Sequence, residues 1–301
     1  MNPPVVVGVD GSESSLRAVD WATDEAALHG VPLRVVYASL WERYEHAVFA
    51  GGPGKTERIL TEVLVVAAAE RARRRVPGME IATEVVPEGP VPVLRRAARG
   101  ASALVVGSRG RGGAAELLLG SVSLAVAGHA DGPVIVVRGD HDDQAGARTR
   151  CRRIVVGVPD HGADSAAVRF AFREAARRAA PLEAVRAWHS PAYETTDHLP
   201  FTGEPARAHE QRAVEALEAG LHAPAEEYPA VEVRRRTVEG PARAVLLDAS
   251  ADAALLVVGA RRPHGRIGPQ TGRVTHAVLH HAACPVAVVP ERVAGDRPRE
   301  P

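Results

Sequence analysis

The chain has few cysteines, few aromatic residues and no long apolar run. Its 301 residues include only two cysteines, Cys151 and Cys284, which lie far apart and outside any CxxC spacing. Two such thiols are too few for a disulfide framework or a structural zinc site. We expect both cysteines to be reduced.

The sequence also lacks a targeting signal and an excess of charge of either sign. The N-terminus has no basic stretch of the kind that opens a signal peptide, and no apolar segment approaches the roughly 20 residues of a membrane span. Lys and Arg number 37, as do Asp and Glu, so the formal net charge is zero. Such a chain has no global field that attracts nucleic acid or anionic lipid. We therefore expect a cytoplasmic protein that binds neither, and that holds any acidic ligand through local groups.

What the sequence does contain is an internal repeat with an offset of about 150 residues. The segment VVVGVDG at residues 5–11 returns as IVVGVPD at residues 154–160. Three further pairs follow in the same order, namely 87–94 with 238–245, 103–110 with 255–262, and 132–137 with 284–289. Because the chain is also longer than the usual domain of about 100 to 200 residues, we predict two copies of one domain.

The stretch between the two copies, residues 139–150, is polar and charged and shows no hydrophobic period. We place the first domain at residues 1–138, a linker at 139–151, the second domain at 152–290 and a tail at 291–301.

Within the first copy, short runs of β-branched residues alternate with longer amphipathic segments. The predicted strands are 5–9, 33–38, 80–86, 103–107 and 134–138, and the predicted helices are 14–29, 57–75, 92–100 and 121–129. This alternation indicates βαβ units, and the near-continuous apolar strands suit a parallel sheet covered on both faces. The predicted class is α/β, with two tandem open parallel five-stranded sheets flanked by helices. We expect the second copy to repeat this plan with a shorter, irregular second crossover.

Glycine and serine cluster after the fourth strand, at the edge of a parallel sheet where ligands bind. Residues 107–113 read GSRGRGG, and Gly120-Ser121-Val122-Ser123 opens the next helix. Glycine lets a backbone approach a ligand closely, and successive amides can form an anion-binding nest. The arginines at 109 and 111 add positive charge. The pattern predicts a phosphate site.

The spacing Gly107-x-x-Gly110, then nine residues, then Gly120-Ser121, together with the opening VVVGVDGS, resembles the nucleotide signature of ATP-binding universal stress proteins. The resemblance covers nearly the whole chain. It implies the fold that this family shares with adenine nucleotide α-hydrolases, and ATP, with Mg²⁺ on its phosphates, as the ligand. By the same resemblance, Asp10 would contact the adenosine moiety. Helix N-capping is the other role considered for Asp10.

The remaining implied contacts follow the sheet edge. The residues framing the pocket would be Gly8, Val9, Gly11 and Ser12, and those lying against adenine would be Val36, Tyr37 and Ala38. Those holding ribose and phosphates would be Gly107, Ser108, Arg109, Gly110, Arg111, Gly112, Gly113, Gly120, Ser121, Val122 and Ser123.

The second copy departs from this signature. Pro159 stands at the position of Asp10, Arg262 replaces the second glycine, and Gly272 is followed by arginine. A bulky residue does not take a positive φ cheaply, so we favour a degenerate copy over an altered anion site. The candidates for such an altered site are Gly157, Gly259, Arg261, Arg262, Gly265 and Gly272.

Two other patterns suggest chemistry more weakly. Residues 51–56, GGPGKT, end like a P-loop but have Phe49 where its first glycine belongs, so we interpret them as a connection; Trp41, Arg43 and Lys55 there could form a lid. Helical spacing brings together His276, His280 and His281 near Cys284. Without a glutamate base between them, this is more simply a polar helix face than a zinc face.

The predicted function is that of an adenine-nucleotide-binding stress-response regulator with slow or no hydrolysis and no catalytic residues. An adenine-nucleotide hydrolase or transferase of the related fold is a second hypothesis, although neither an SGG-type loop nor a histidine pair on the second crossover is present. A scaffold without nucleotide is a third. The family also implies pairing through the last strands, here residues 134–137 with 286–289 as an internal pseudo-dimer, with a homodimer also open.

Overall fold

The computed structural model describes residues 3–38, 54–110, 119–138, 153–159, 164–189, 204–261 and 272–291, with the backbone alone at 54–60, 204–206 and 261. The chain divides into two compact units; the first holds the described residues up to 138 and the second those from 153 onward. Among the helices of the described segments, none combines the length and the apolar character needed to cross a bilayer.

The first unit is a parallel sheet with a helix after each of its first four strands. In chain order the elements are β1 (Val5–Val9), α1 (Glu13–His29), β2 (Leu33–Ala38), α2 (Gly54–Arg75), β3 (Ile81–Val86), α3 (Pro90–Ala98), β4 (Ala103–Gly107), α4 (Ser121–His129) and β5 (Val134–Val137). The strand order is β3-β2-β1-β4-β5, and all pairings are parallel. The predicted strands and helices are therefore confirmed, with bounds that differ by three residues at most.

The core of the first unit follows from the apolar strand sequences. Every residue of β4 and β5 is buried, as are Val5, Val6 and Val7 of β1. Because helices cover such strands on both faces, side chains on either face are buried, and the strand sequences are continuously apolar and do not alternate between apolar and polar residues. The edge strand β3 is different, because its middle residues Ala82, Thr83 and Glu84 are exposed.

The second unit repeats this architecture. Its elements are β6 (Arg153–Gly157), α5 (Ala166–Arg178), β7 (Leu182–Trp188), α6 (Glu204–Glu227), β8 (Val233–Glu239), α7 (Ala242–Ser250), β9 (Ala253–Arg261), α8 (Arg273–His281) and β10 (Val286–Glu291). The strand order β10-β9-β6-β7-β8 matches that of the first unit, again with parallel pairings.

Two details of the second unit differ from the sequence-based expectations. The second crossover is not shorter, since α6 has 24 residues and α2 has 22. Pro224 lies inside α6 without ending it. Strand β10 includes Glu291, one residue beyond the predicted domain end, because the backbone at Glu291 still pairs in register with Arg261.

The first helix of each unit ends on the same left-handed residue, but the residue type differs. Gly30 follows α1 with φ 61° and ψ 39°, and Ala179 follows α5 with φ 47° and ψ 45°. In each case the amide donates to two carbonyls of the last turn. A Cβ is disfavoured in this conformation, so α5 carries backbone strain that α1 avoids.

We predict that Ala179→Gly raises the free energy of unfolding of the second unit by about 0.5–1 kcal/mol, because glycine relieves the left-handed strain. Urea unfolding of the full chain, followed by circular dichroism, measures the change. The exposed Ala176 in the same helix is the matched control, since Ala176→Gly should destabilise by about 1 kcal/mol. Equal destabilisation by both substitutions would contradict the claim that Ala179 is strained.

Candidate functional site

The strand order of the first unit reverses direction between β1 and β4. Both strands run parallel, with Val5 opposite Ala103 and Val7 opposite Val105, so their carboxyl ends lie side by side. In open α/β sheets the crevice at such a reversal is the preferred ligand position. The turn after β1 carries Asp10, and the turn after β4 carries Gly110. The fold therefore places the two predicted parts of the site together.

Asp10 closes a tight turn before α1. Its Oδ1 accepts hydrogen bonds from the Ser12 amide at 2.9 Å and from the Ser12 hydroxyl at 2.6 Å. The helix N-cap is Ser12, whose Oγ accepts from the amide of Ser15 at 3.2 Å. Gly11, with φ 80°, completes the turn in a conformation that few other residues adopt. Asp10 thus orients the capping residue and is not itself the cap.

The turn after β4 lies against the start of α1. A Cβ atom at Gly107 would be 2.5 Å from the Ser14 hydroxyl and 2.6 Å from its carbonyl oxygen, so only glycine allows this approach. The hydroxyl of Ser14 then accepts a hydrogen bond from the Arg109 amide at 3.2 Å. From the other side, the buried Ser123 hydroxyl donates to the Gly107 carbonyl at 2.7 Å. We therefore assign Ser123 to fixing the loop and not to contacting a ligand.

The two signature glycines bring three segments into contact. A Cβ at Gly110 would lie 2.7 Å from Asp10 Oδ2, so the loop backbone passes directly over the aspartate. Gly120 donates its amide to the Ser108 carbonyl at 2.8 Å and starts α4 without a side-chain cap. The first amides of α4, including those of exposed Ser121 and half-buried Val122, have no intrahelical acceptor. They form the positive end of a helix beside the loop.

Two arginines add charge at the same edge. Arg109 follows β4 and Arg138 follows β5, and these strands pair with Gly107 opposite Val137. Burial, and then the nearby positive charge of Arg109, lower the pKa of Arg138 below its ordinary value. A bound anion would offset the repulsion by Arg109, because an opposite charge stabilises the protonated guanidinium. The electrostatics at this edge favour an anion.

The end of β2 borders the site on its other side. Tyr37 pairs with Val9, and both Tyr37 and Ala38 are half-buried at the strand end. Val36 is buried in the core. Gly8 serves packing, because a Cβ there would lie 2.9 Å from a methyl group of Leu94 on α3.

Several predicted residues lie outside the described part of the chain. They are Arg111, Gly112 and Gly113 of the loop, Trp41 and Arg43 of the suggested lid, and Arg262 and Gly265 of the second copy. Of the P-loop-like stretch, Gly54-Lys55-Thr56 starts helix α2. On α8, the rings of His276 and His280 stack with their centroids 4.4 Å apart.

The second unit keeps three of its predicted glycines at the equivalent sheet edge. A Cβ at Gly157 would lie 3.0 Å from a Leu246 methyl group, much as Gly8 meets Leu94. Gly272 caps the start of α8. Gly259 lies close to the Glu291 carboxylate, with a Cβ-to-Oε1 distance of 2.7 Å. Arg261 ends β9.

Comparison with known proteins shows the family of the chain. The family model described as the universal stress protein family matches residues 1–138 and 150–290. The chain belongs to the universal stress protein family. It is 32% identical over 300 residues to a universal stress protein of Mycolicibacterium smegmatis, covering 96% of this chain and 97% of that protein.

Further universal stress proteins resemble the chain over nearly its whole length. One from Mycobacterium tuberculosis strain H37Rv is 34% identical over 294 residues, covering 94% of this chain and 96% of that protein. The crystal structure of one from Archaeoglobus fulgidus superposes with a TM-score of 0.66 at 16% identity, covering 96% and 99% of the two chains. The tandem arrangement is therefore shared with other members of the universal stress family.

Two residues of the site were not predicted from the sequence. Ser14 was assigned only to the start of a helix, and Arg138 only to the end of a strand. The position of Arg138 could have been recognised in the sequence, because a charged residue directly after an apolar strand lies at the edge of the sheet where ligands bind. Ser14 carries no such signal, because its contact with Gly107 depends on how closely a helix approaches a strand.

We predict that Gly107→Ala destabilises the first unit by about 1–3 kcal/mol, because the new methyl group meets the Ser14 backbone. Gly120→Ala is the matched control. Its nearest neighbour would lie 3.5 Å away and its φ is −63°, so the cost should stay below about 1 kcal/mol. Urea unfolding of both variants measures the difference, and equal costs would contradict the contact.

Proposed function

We propose that the first unit binds an adenine nucleotide, ATP with Mg²⁺, and that the protein is a nucleotide-dependent stress-response regulator. The observation that carries the proposal is the convergence of Asp10, the loop at residues 108–110 and the start of α4 at the strand-order reversal. Membership of the universal stress family supports the same ligand, since the signature glycines stand at the matching positions.

The phosphate half of this proposal rests on three groups of donors. The amides that open α4 point out of a helix N-terminus, which carries a partial positive charge of about half a unit. The Gly110 amide is the second group, and the absence of a side chain there lets the loop backbone lie against Asp10. Arg109 and Arg138 supply the charge whose mutual repulsion an anion relieves. Together they suit a chain of phosphates better than a single carboxylate.

The nucleoside half rests on Asp10 and the end of β2. Asp10 Oδ1 is engaged by Ser12, whereas Oδ2 accepts no hydrogen bond from the described residues. A carboxylate oxygen accepts from donors, so a ribose hydroxyl is a suitable partner. Tyr37 and Ala38 would then lie beside the base.

The metal would enter with the nucleotide. Mg²⁺ in nucleotide sites is usually held by phosphate oxygens, waters and one or two protein carboxylates. The Asp10 carboxylate already accepts two hydrogen bonds through one oxygen and faces Gly110 with the other. These residues fit a Mg²⁺ carried on the phosphates and not an ion held by the protein alone. The ion would neutralise phosphate charge.

Hydrolysis is not required by this arrangement. A hydrolase needs a group that orients or deprotonates water at the phosphate. Near the described part of the loop the polar side chains are Asp10, serines and arginines. The Asp10 carboxylate accepts from Ser12 through Oδ1 and would serve the ribose through Oδ2, and the hydroxyls of Ser14 and Ser123 are engaged with the loop backbone. We therefore favour binding with slow or no hydrolysis over the hydrolase hypothesis.

We predict that Asp10→Ala and Gly110→Val each weaken ATP binding at least about tenfold. Asp10→Ala removes an acceptor, and a hydrogen bond to a charged group contributes about 1.5–3 kcal/mol. Gly110→Val places a side chain against Asp10, because a Cβ at position 110 would lie 2.7 Å from Asp10 Oδ2. Calorimetric titration of nucleotide-free full chain with ATP and Mg²⁺ measures the dissociation constant. Arg99→Ala is the control, because Arg99 lies at the opposite end of β4 and pairs with Asp131. Unchanged affinity in both site variants would overturn the proposal, and no binding by the parent chain would favour the scaffold hypothesis.

We also predict that Arg138→Met separates phosphate from nucleoside recognition. The variant should lose affinity for ATP by about tenfold and keep its affinity for adenosine, because Arg138 would act on the phosphates alone. Asp10→Ala should weaken both ligands. Parallel titrations with ATP and adenosine provide the comparison. Equal losses for the two ligands in Arg138→Met would indicate a structural role for this arginine.

A further inference from the structure

The second unit contains a cleft of about 360 Å³ at the carboxyl ends of β6, β7 and β9. We call it the second-unit cleft; its lining includes Val158, Arg186, Leu246, Val258, Gly272 and Glu291. Its volume lies at the lower end of the range of about 300 to 1,000 Å³ that small-molecule sites occupy. It occupies the edge of the second unit that corresponds to the nucleotide edge of the first, but its charged groups differ.

Arg186 stands where the first unit has a tyrosine. The repeat aligns Val5 with Ile154; Val5 pairs with Leu33, and Ile154 pairs with Leu182. Four residues further along β2 and β7 this register places Arg186 at the position of Tyr37. A cation therefore replaces the aromatic ring on the proposed base side.

The guanidinium of Arg186 is buried, with 8% of the residue exposed, and its Nη1 donates to the Val158 carbonyl at 3.1 Å. Burial lowers the pKa of Arg186, because removal from water disfavours the charged form. An anion bound in the second-unit cleft would offset this desolvation. The charge of Arg186 thus favours an acidic group in the ligand.

Glu291 lines the second-unit cleft and binds the start of α5. Its Oε1 accepts from the Ser165 hydroxyl at 2.5 Å and the Ala167 amide at 3.2 Å, and its Oε2 accepts from the Ala166 amide at 2.8 Å. The carboxylate of the protein itself thus occupies the N-terminus of α5. It satisfies that helix end and occupies the donors that a phosphate could otherwise use there.

The start of α8 supplies further donors to the cleft. Gly272 is its N-cap and provides no side-chain cap, so the first amides of this nine-residue helix have no intrahelical acceptor. Gly272, Arg273 and Val274 all line the cleft. The remaining walls are largely apolar, with Val158, Leu246 and Val258 among them.

We propose that the second-unit cleft binds a small organic anion with an apolar body, of the aromatic carboxylate class, through Arg186, and that it does not take a nucleotide. The apolar walls receive the body and Arg186 receives the acidic group. Because Glu291 already occupies the N-terminus of α5, that helix end offers no free donors to a chain of phosphates. This site is independent of the nucleotide proposed for the first unit.

The test is a titration of the full chain with 2-naphthoate, with and without saturating ATP and Mg²⁺. Its neutral analogue 2-naphthamide is titrated alongside. We expect one naphthoate per chain under both conditions and binding of the amide that is at least about tenfold weaker, since one charged hydrogen bond is lost. Equal affinities for the two probes, or no naphthoate binding at millimolar concentration, would overturn the proposal.

Variants then locate the bound probe. Arg186→Met should weaken naphthoate binding at least about tenfold, and Arg186→Lys should weaken it less because the charge remains. Arg243→Met, at an exposed position on α7, should leave it unchanged. If Arg186→Met does not fold, the comparison of naphthoate with naphthamide on the parent chain still tests whether binding requires the acidic group.

Competition distinguishes this proposal from the function proposed for the first unit. If ATP displaces naphthoate, the probe lies in a nucleotide site and the proposal is wrong. If the chain binds no ATP at all, the proposed function fails, whereas the naphthoate titration without ATP still tests the second-unit cleft.

Discussion

The close contact between Gly107 and Ser14 is the constraint on which the first unit's site depends. Because a Cβ at position 107 would overlap the Ser14 backbone, the missing side chain lets α1 begin directly beside the end of β4. That approach allows the Ser14 hydroxyl to accept the Arg109 amide. The loop is thereby held over Asp10, and Gly110 passes its carboxylate without obstruction. One van der Waals contact thus aligns two turns that are far apart in the sequence.

The equivalent glycine of the second unit serves a different neighbour. Gly259 follows the same strand position, and Thr275 donates to its carbonyl at 3.4 Å as Ser123 does to Gly107. The space beside it is filled by the Glu291 carboxylate, which bonds the start of α5. The connection before α5 is longer than the one before α1, so a side chain from β10 takes the place of a direct helix contact. The same glycine therefore accommodates a neutral serine in one unit and a carboxylate in the other.

The fold could be predicted from the sequence because its determinants are local. Apolar runs such as residues 103–107 specify buried parallel strands, and Gly30 before Val31 and Pro32 marks a helix end. The candidate site was predicted only in part. Its glycines were found by spacing, since a close backbone approach requires a particular residue type at a particular place, and Asp10 was found through the resemblance to the family.

The residues that the sequence did not reveal act through contacts between distant segments. Glu291 was assigned to a tail, and nothing in the adjoining sequence indicates that it bonds a helix that starts at residue 166. Arg186 lies within strand β7 next to buried Val185, and nothing in the sequence indicated that its side chain lines a cleft. Such roles depend on which strand ends the topology brings together, and only the three-dimensional structure supplies that information.

The ligand proposed for the second-unit cleft implies that the second copy is more than degenerate. Replacing a buried charge by an apolar side chain is often neutral or stabilising, because desolvation of an ion costs several kcal/mol. A domain kept only for packing would therefore gain stability by filling the second-unit cleft with apolar groups. Instead Arg186 remains buried beside apolar walls, and Glu291 forms three hydrogen bonds at one helix end. Loss of nucleotide recognition and gain of a different specificity predict different residues at this edge, and the proposal made for the second-unit cleft corresponds to the second.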